Sequence, residues 1–335
     1  MTIKDLARES GYSLGTVSRV LNGHPNVSEK ARRAVMAVVE ARGFEINTNA
    51  RNLKQNHGNS VLIVVKGRDN ELFSGIVARY QELFSRTGHP LVIEYIDELG
   101  NEVHRAAALC REKKPQGVLF LGGNQENFRR EFAKIQVPAV LVTGSAGELG
   151  VENLSSVTAD DHKGAAAAAE YLLQCGHRDI LVLGGDRQRS DISRDRCDGF
   201  RDACTRAGLP FAEDCYRTCR FSYRSGYESM KQALEDGVQC TAVFAMADVI
   251  AIGAIRAIRE HGLRVPEDIS VIGYDGLEIC DYLQPRLTTV AQPLEAMARS
   301  SVSILLEQIE NDAGARHEEA DFALQIRDSV CNRRE

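Results

Sequence analysis

Between Ser13 and Asn22 the chain reads Ser-Leu-Gly-Thr-Val-Ser-Arg-Val-Leu-Asn, which gathers three hydroxyls, an amide and an arginine on one short helical stretch. Hydroxyl and amide groups make short hydrogen bonds to phosphate oxygens, and an arginine can fork onto the O6 and N7 of guanine. The chemistry on offer is recognition of a DNA groove, not bond making. Three amphipathic helices are predicted to position these groups. Ile3, Leu6 and Ala7 give a first apolar stripe over Ile3–Ser10, with Thr2-x-x-Asp5 as its capping box. Gly11-Tyr12 makes a turn, Ser13 caps a second helix, and Val17, Val20 and Leu21 form its buried stripe. Ser28 caps a third helix with Ala31, Val35, Val38 and Val39 inward, ending at Gly43. Two helices joined by a tight turn with a third behind them is a helix-turn-helix, whose second helix presents its N-terminal side chains to base edges.

The charge distribution supports that division of labour. Residues 1–55 hold nine Lys/Arg against five Asp/Glu, a net of +4, so the rest of the 335-residue chain carries −10. A basic head on an acidic body suits a protein that meets phosphate at one end only. No apolar run reaches the roughly 18–20 residues needed to span a bilayer, and no apolar stretch follows the N-terminal charges as a secretory signal would require. The nine cysteines are scattered and odd in number, which points to a reducing cytoplasm. Cys215-x-x-x-Cys219 has no partner ligands nearby, so neither a metal nor any other cofactor is expected. Gly11-Tyr12-Ser13-Leu14-Gly15 fits the Gly-x-Ser-x-Gly nucleophile pattern but follows a helix where a strand is needed, and no Walker loop is present, so an enzyme is not expected.

The head resembles that of the lactose-repressor/galactose-repressor (LacI/GalR) family of bacterial regulators, and the similarity runs the length of the chain. It is carried by Thr16-Val17-Ser18-Arg19-Val20-Leu21-Asn22, Val27-Ser28 and Arg51-Asn52-Leu53, and by Arg264-Val265-Pro266-Glu267-Asp268-Ile269-Ser270-Val271-Ile272-Gly273-Tyr274-Asp275. Leu287-Thr288-Thr289-Val290 with Gln292-Pro293 adds to it. The resemblance implies that Ser13, Thr16, Ser18, Asn22 and Ser28 hold phosphates. It implies that Leu14, Gly15 and Arg19 face the groove and that Asn26 lies near the bases. Gly15 departs from the family, which usually carries a side chain there. Residues 46–60 match a hinge helix and linker, with Asn47, Ala50 and Leu53 at the contacting positions and Thr48-Asn49 as a departure. Such a segment is too short to be helical alone; two copies ordering together on DNA would let Leu53 wedge into the minor groove. From the residues alone, a plain linker with an exposed Leu53 is the other reading.

Beyond Val61, short apolar runs alternate with amphipathic helices, which predicts parallel sheets covered on both faces. Strands are predicted over Val61–Val65, Leu91–Tyr95, Gly117–Leu121, Ala139–Val142, Ile180–Leu183, Thr241–Ala245, Ile269–Tyr274 and Phe322–Arg327. Helices separating them include Ser74–Arg86, His162–Cys175, Asp248–His261 and Leu294–Asn311. The pattern repeats about residue 160, suggesting two similar lobes. The resemblance implies the two-lobed periplasmic-binding-protein type I fold behind an all-α head of residues 1–45. The first lobe is then 61–159 with 291–320 and the second 160–290 with 321–335. The crossings fall near 159–161, 289–292 and 318–322.

Ligands in such sheets bind beyond the carboxyl ends of the strands. Those ends carry Lys66-Gly67-Arg68, Gly122-Gly123-Asn124, Gly184-Gly185-Asp186, Ala247-Asp248 and Tyr274-Asp275, groups suited to several hydroxyls of a sugar. The resemblance implies that Asp160, Arg196, Phe221, Asp275 and Gln292 contact the effector or line the cleft, with Arg68 and Asp248 beside them. Arg196 and Asp275 could instead form a salt bridge between lobes, and Phe221 could be core. Lys66 and Arg68, at positions mostly neutral in relatives, raise the alternative of an acidic effector. The family's activity implies a homodimer on palindromic operator DNA, usually a repressor, with activation or corepression as alternatives. A metabolite bound between the lobes would change operator affinity through a coupling of about 1–3 kcal/mol. Its dimer surfaces are expected at Ser74–Arg86 and around Tyr223–Gln232. No leucine heptads follow the last strand, so no tetramerising tail is expected.

Overall fold

The computed structural model describes residues 3–21, 27–42, 58–68 and 70–334. They fall into two compact units that divide between Asn56 and His57. In the first, α1 (Ile3–Ser10), α2 (Leu14–Leu21) and α3 (Glu29–Arg42) surround one small core. Leu6, Val17, Val20, Leu21 and Val35 are buried in it, and Ala7, Tyr12, Val27, Val38 and Val39 pack around them. These are the positions that the helical spacing selects, so the apolar stripes decide how the three helices meet. Gly11 adopts φ +72°, the left-handed conformation that ends a helix and turns the chain into α2. Ser13 accepts the Thr16 amide at 3.2 Å and Ser28 accepts that of Ala31 at 3.3 Å, as N-cap residues do. Arg42 closes onto Glu9 at 3.0 Å, tying the end of α3 to α1. Thr2 and Gly43, read as the first cap and the last stop, lie outside the described residues.

The second unit contains two six-stranded sheets. The strands are β1 (Val61–Lys66), β2 (Leu91–Ile96), β3 (Gly117–Leu121), β4 (Ala139–Val142), β5 (Leu154–Ala159), β6 (Ile180–Gly184), β7 (Tyr216–Thr218), β8 (Ala242–Ala245), β9 (Ser270–Asp275), β10 (Thr288–Ala291), β11 (His317–Ala320) and β12 (Ala323–Gln325). The first sheet runs β11-β5-β4-β3-β1-β2 and the second β12-β10-β9-β8-β6-β7. Every pairing is parallel except that of β10 with β12. The longer helices are α4 (Glu71–Phe84), α5 (Glu102–Lys113), α6 (Gln125–Glu131), α7 (Asp161–Gln174), α8 (Asp191–Arg206), α9 (Tyr223–Glu235), α10 (Asp248–Glu260) and α11 (Leu294–Asn311).

Alternation along each strand sets the layers. Val61, Ile63 and Val65 point into a core with Phe73, Ile76 and Tyr80 of α4 and Met297 of α11. Leu62 and Val64 point the other way, onto Val103 of α5 and Phe128 of α6. In the second sheet Val182, Phe244 and Ile272 meet α7 and α8, while Leu181, Val243 and Val271 meet α9 and α10. The sheets are therefore covered on both faces, the reason their central strands read as unbroken apolar runs.

The chain passes from first sheet to second at Asp160, returns after β10, and crosses again between β11 and β12. One boundary needs correction. Ala291, expected to begin the first lobe's second segment, sits in β10 of the second sheet opposite Asp275 and Ala323. Four strands escaped the sequence pattern: β5, β7, β10 and β11. The strand expected over Phe322–Arg327 is the shorter β12. Among the described residues no helix is long and apolar enough to cross a membrane.

Candidate functional site

In the head, α2 buries Val17, Val20 and Leu21 and turns its opposite face to solvent. Leu14 is 45% exposed, and Gly15, Arg19 and Ser13 are exposed beside it, with Ser18 half-buried. The Ser13 and Thr16 hydroxyls lie 2.9 Å apart at the N-terminal end of α2. Free amides at a helix start attract anions, so two hydroxyls there suit a phosphate. A β-carbon on Gly15 would find nothing nearer than 4.0 Å, where it would meet only Ser13 Oγ and the Arg19 guanidinium. Gly15 thus leaves open the space that Arg19 overhangs, one helical turn along. Gly15→Ala should stabilise the head, by up to about 1 kcal/mol, readable as slower amide exchange across α2 in the intact protein. Faster exchange would mean that the backbone there needs glycine. Ser28 is exposed at the start of α3. Asn22, Asn26, Asn47, Ala50 and Leu53 lie outside the described residues.

The second site is a cavity of about 470 Å³ between the carboxyl ends of the two sheets. Of the seven positions expected there, Arg68, Arg196, Phe221 and Asp275 line its wall; Asp160, Asp248 and Gln292 do not. Arg196, on α8, is 3% exposed. Its Nε donates to Asp161 Oδ1 at 2.7 Å, its Nη1 donates to the Met246 carbonyl, and Asp275 Oδ1 lies 3.7 Å away. The guanidinium covers the Tyr274 ring at 3.7 Å, a cation–π contact inside the protein. Burial works against its charge, but Asp161, Tyr274 and Asp275 outweigh that and raise its pKa further. Burial likewise pushes the Asp161 and Asp275 carboxyls up, with Arg196 pulling the other way. All of these residues belong to the second lobe, so Arg196 and Asp275 form no bridge between lobes.

The three misplaced residues have structural duties. Asp160 caps α7, accepting the Lys163 amide at 2.8 Å, and it is the next residue, Asp161, that turns inward. Asp248 is fully buried, accepts the Thr289 hydroxyl at 2.6 Å and the Leu277 amide at 2.8 Å, and so ties β10 to the loop after β9. Gln292 donates to Asp275 Oδ1 at 2.9 Å and orients that carboxylate from behind. Phe221 is partly buried against both cores of the second lobe and also reaches the cavity. A β-carbon on Gly185 would come within 2.8 Å of its ring and 2.5 Å of Ser193 Oγ, which is why the position just after β6 must be glycine. In the first lobe Gly122 (φ +76°) makes the same allowance for Phe73, at 3.0 Å.

Sequence reasoning missed several wall residues, among them Thr143, Asp97, Glu98 and Arg220. Arg220, from the second lobe, forks onto Asp97 of the first at 3.2 and 3.3 Å and lies 3.6 Å from Glu98. The Leu99 amide and Arg220 hold Asp97 below the usual carboxylate range, with a smaller contribution from Arg68. Tyr223 donates to Glu71 across the same gap at 2.5 Å. Lys66, which suggested an acidic ligand, is paired with Glu102, a fully buried carboxylate that also accepts the Asn124 amide at 2.7 Å. Arg189 has Asp186 3.7 Å away. Four of the five cations of the wall, Lys66, Arg189, Arg196 and Arg220, are thus set against acidic partners, while the fifth, Arg68, acts on Asp97 from longer range. Cys219 also reaches the wall, but burial pushes its thiol up to about 12, so it stays protonated. Among the described residues, no His, Cys, Asp and Glu groups are placed to hold a metal ion.

Comparison with known proteins finds relatives of both units of the chain. Residues 2–47 match the profile described as bacterial regulatory proteins, lacI family, and residues 169–330 match a periplasmic binding protein-like domain. The HTH-type transcriptional regulator MalR of Clostridium butyricum is 34% identical over 99% of this chain and 100% of its own length. A lac repressor dimer solved with operator and the anti-inducer ONPF superposes with a TM-score of 0.74 at 28% identity, covering 99% of each chain. A complex of the transcriptional regulator CelR with cellobiose gives 0.70 at 28% identity, covering 98% of this chain and 99% of that one.

Proposed function

Because the chain belongs to the lacI family of bacterial regulatory proteins, we propose that it is a cytoplasmic, homodimeric repressor that binds a palindromic operator and is controlled by an uncharged saccharide held between its lobes. The observation that carries the ligand half of this reading is the cavity wall, where Lys66, Arg189, Arg196 and Arg220 are set against carboxylates. Fixed Arg–Asp pairs offer hydroxyls both donors and acceptors, whereas a phosphate or carboxylate would need cationic charge left over. The Lys66–Glu102 pair therefore argues against the acidic ligand that the sequence made conceivable. Operator and sugar ligands among the related structures support the same assignment, and the relatives are regulators, not enzymes.

The mechanism is linkage. Side chains from both lobes face one cavity, so a ligand bridging them favours one lobe arrangement over another. The free energy of that preference is available to alter DNA affinity, typically by about 1–3 kcal/mol per site. Duplex selection with the purified protein should return a palindrome, and an uncharged sugar should change its affinity, with binding unaltered in Arg68→Ala. Recovery of no preferred duplex, or tight binding only of acidic sugars with loss in Arg68→Ala, would refute the proposal.

A palindrome demands a symmetric partner. On the second lobe Tyr282 is 78% exposed, and Ile279 and Ile326 are exposed beside the Arg327–Asp281 pair. Apolar groups clustered in this way mark an association surface. Tyr282→Asp should yield a monomer by sedimentation and lower operator affinity; an unchanged dimer mass would exclude this face.

A further inference from the structure

We infer that the cavity is shaped for a two-ring saccharide, one ring at each of two polar poles; the inference rests on the saccharide reading above and extends it to ligand size. The poles follow from strand order. In the first lobe the wall comes from residues beyond the ends of β4, β3, β1 and β2, and in the second from those beyond β9, β6 and β7. Each row spans three strand spacings, roughly 14 Å. A single pyranose is about one strand spacing across, so one ring cannot touch both ends.

The inner pole lies beside the crossings between lobes. It consists of Asp275, with Arg196 behind it, and Thr143 beyond β4. Thr143 is 2% exposed, its Oγ1 has no hydrogen-bond partner among the described residues, and it sits at φ +71°. A β-branched residue rarely adopts that conformation. A buried hydroxyl without a partner, held in a strained backbone at a cavity wall, is a group waiting for a ligand atom. The outer pole lies beyond the opposite edge strands, where Arg220 of β7's loop meets Asp97 and Glu98 beyond β2. Between the poles the wall is aromatic: Phe73 stands against Gly122 at the end of β3, and Phe221 against Gly185 at the end of β6. Apolar faces of sugar rings pack on such side chains while their hydroxyls reach outward to either pole.

Calorimetric titration of the intact dimer with α- and β-linked disaccharides (maltose, cellobiose, lactose, trehalose) and with glucose and galactose tests this. At least one disaccharide should bind about a hundredfold or more tighter than its component sugars. In Arg220→Ala that ratio should fall toward one, because the outer pole is gone. A monosaccharide binding as tightly as every disaccharide would overturn the two-ring inference, as would an Arg220→Ala protein that loses affinity for both sizes alike and keeps the ratio. Binding of none of these sugars by a protein that still selects its palindrome would instead overturn the saccharide reading itself.

Discussion

Arg196→Ala is expected to lower the stability of the two-lobed unit by about 3–5 kcal/mol and to abolish ligand response. The size of the loss follows from what the guanidinium leaves behind. Asp161 is nearly fully buried and receives a direct charge-assisted hydrogen bond from Arg196 at 2.7 Å. Asp275, also buried, lies 3.7 Å away and, among the described residues, has only the Gln292 amide as its other side-chain donor. Removing the cation would strand two carboxyls whose burial already raises their pKa, and it would uncover the Tyr274 ring. For a unit of this size the melting temperature should fall by roughly 10 °C. Arg196→Lys should recover part of the stability, since a charge remains. It should not recover ligand binding, since an ammonium cannot fork between Asp161 and the Met246 carbonyl while stacking on a ring. Calorimetric melting alone and with a bound sugar separates the two effects. A drop below about 1 kcal/mol for the alanine variant would mean that the carboxyls protonate without cost and that no ionised cluster exists.

Which parts of this arrangement could be read from residue order depends on how each residue is used. The central strands were legible because both their faces are covered, so Val61–Val65 and Gly117–Leu121 show unbroken apolar runs. β5 has the same central burial but carries Ser155 and Ser156, whose hydroxyls face Gln308 and His317; polarity hid it. β11, His-Glu-Glu-Ala, and β7, Tyr-Arg-Thr, are edge strands, where one side is solvated and no apolar signature is required. The site shows a similar division. Arg196, Asp275 and Phe221 sit in motifs whose surroundings mark them out. Asp160 and Asp161 are chemically identical neighbours, and the resemblance selected the wrong one of the two for the buried cluster. A signal did exist: Asp161 continues the stripe Ala165, Ala168, Ala169 and Leu172, all buried in α7, whereas Asp160 precedes it as the cap. Asp248 was misread because a carboxylate at a strand end looks the same whether it faces a ligand or, as here, the Thr289 hydroxyl and the Leu277 amide. Glu102 and Arg220 gave no sign at all. Their partners, Lys66 and Asp97, are distant in sequence and meet only when strand order is known.

The head makes the other large prediction. Arg19→Ala should weaken binding to the selected palindrome by about 2–6 kcal/mol, since each of two half-sites would lose an arginine fork of about 1–3 kcal/mol. α2 gives the physical reason for placing so much on one residue. Its exposed face offers Leu14, Gly15 and Arg19, and of these only Arg19 can donate to a base edge. The missing side chain at Gly15 leaves the arginine unobstructed, with its guanidinium 4.0 Å from where a β-carbon would be. Ser13 and Thr16, by contrast, sit at the helix start with hydroxyls 2.9 Å apart, where phosphate contacts set register without reading sequence. Loss of Arg19 should therefore collapse discrimination between the palindrome and a scrambled duplex while leaving the salt dependence of binding nearly intact. Fluorescence anisotropy on both duplexes at several salt concentrations measures the two quantities together. If both duplexes weaken equally and the salt slope falls by about one per protomer, Arg19 neutralises a phosphate instead. Specificity would then have to come from groups outside α2, and the absence of a side chain at Gly15 would be a consequence of close backbone approach to the DNA.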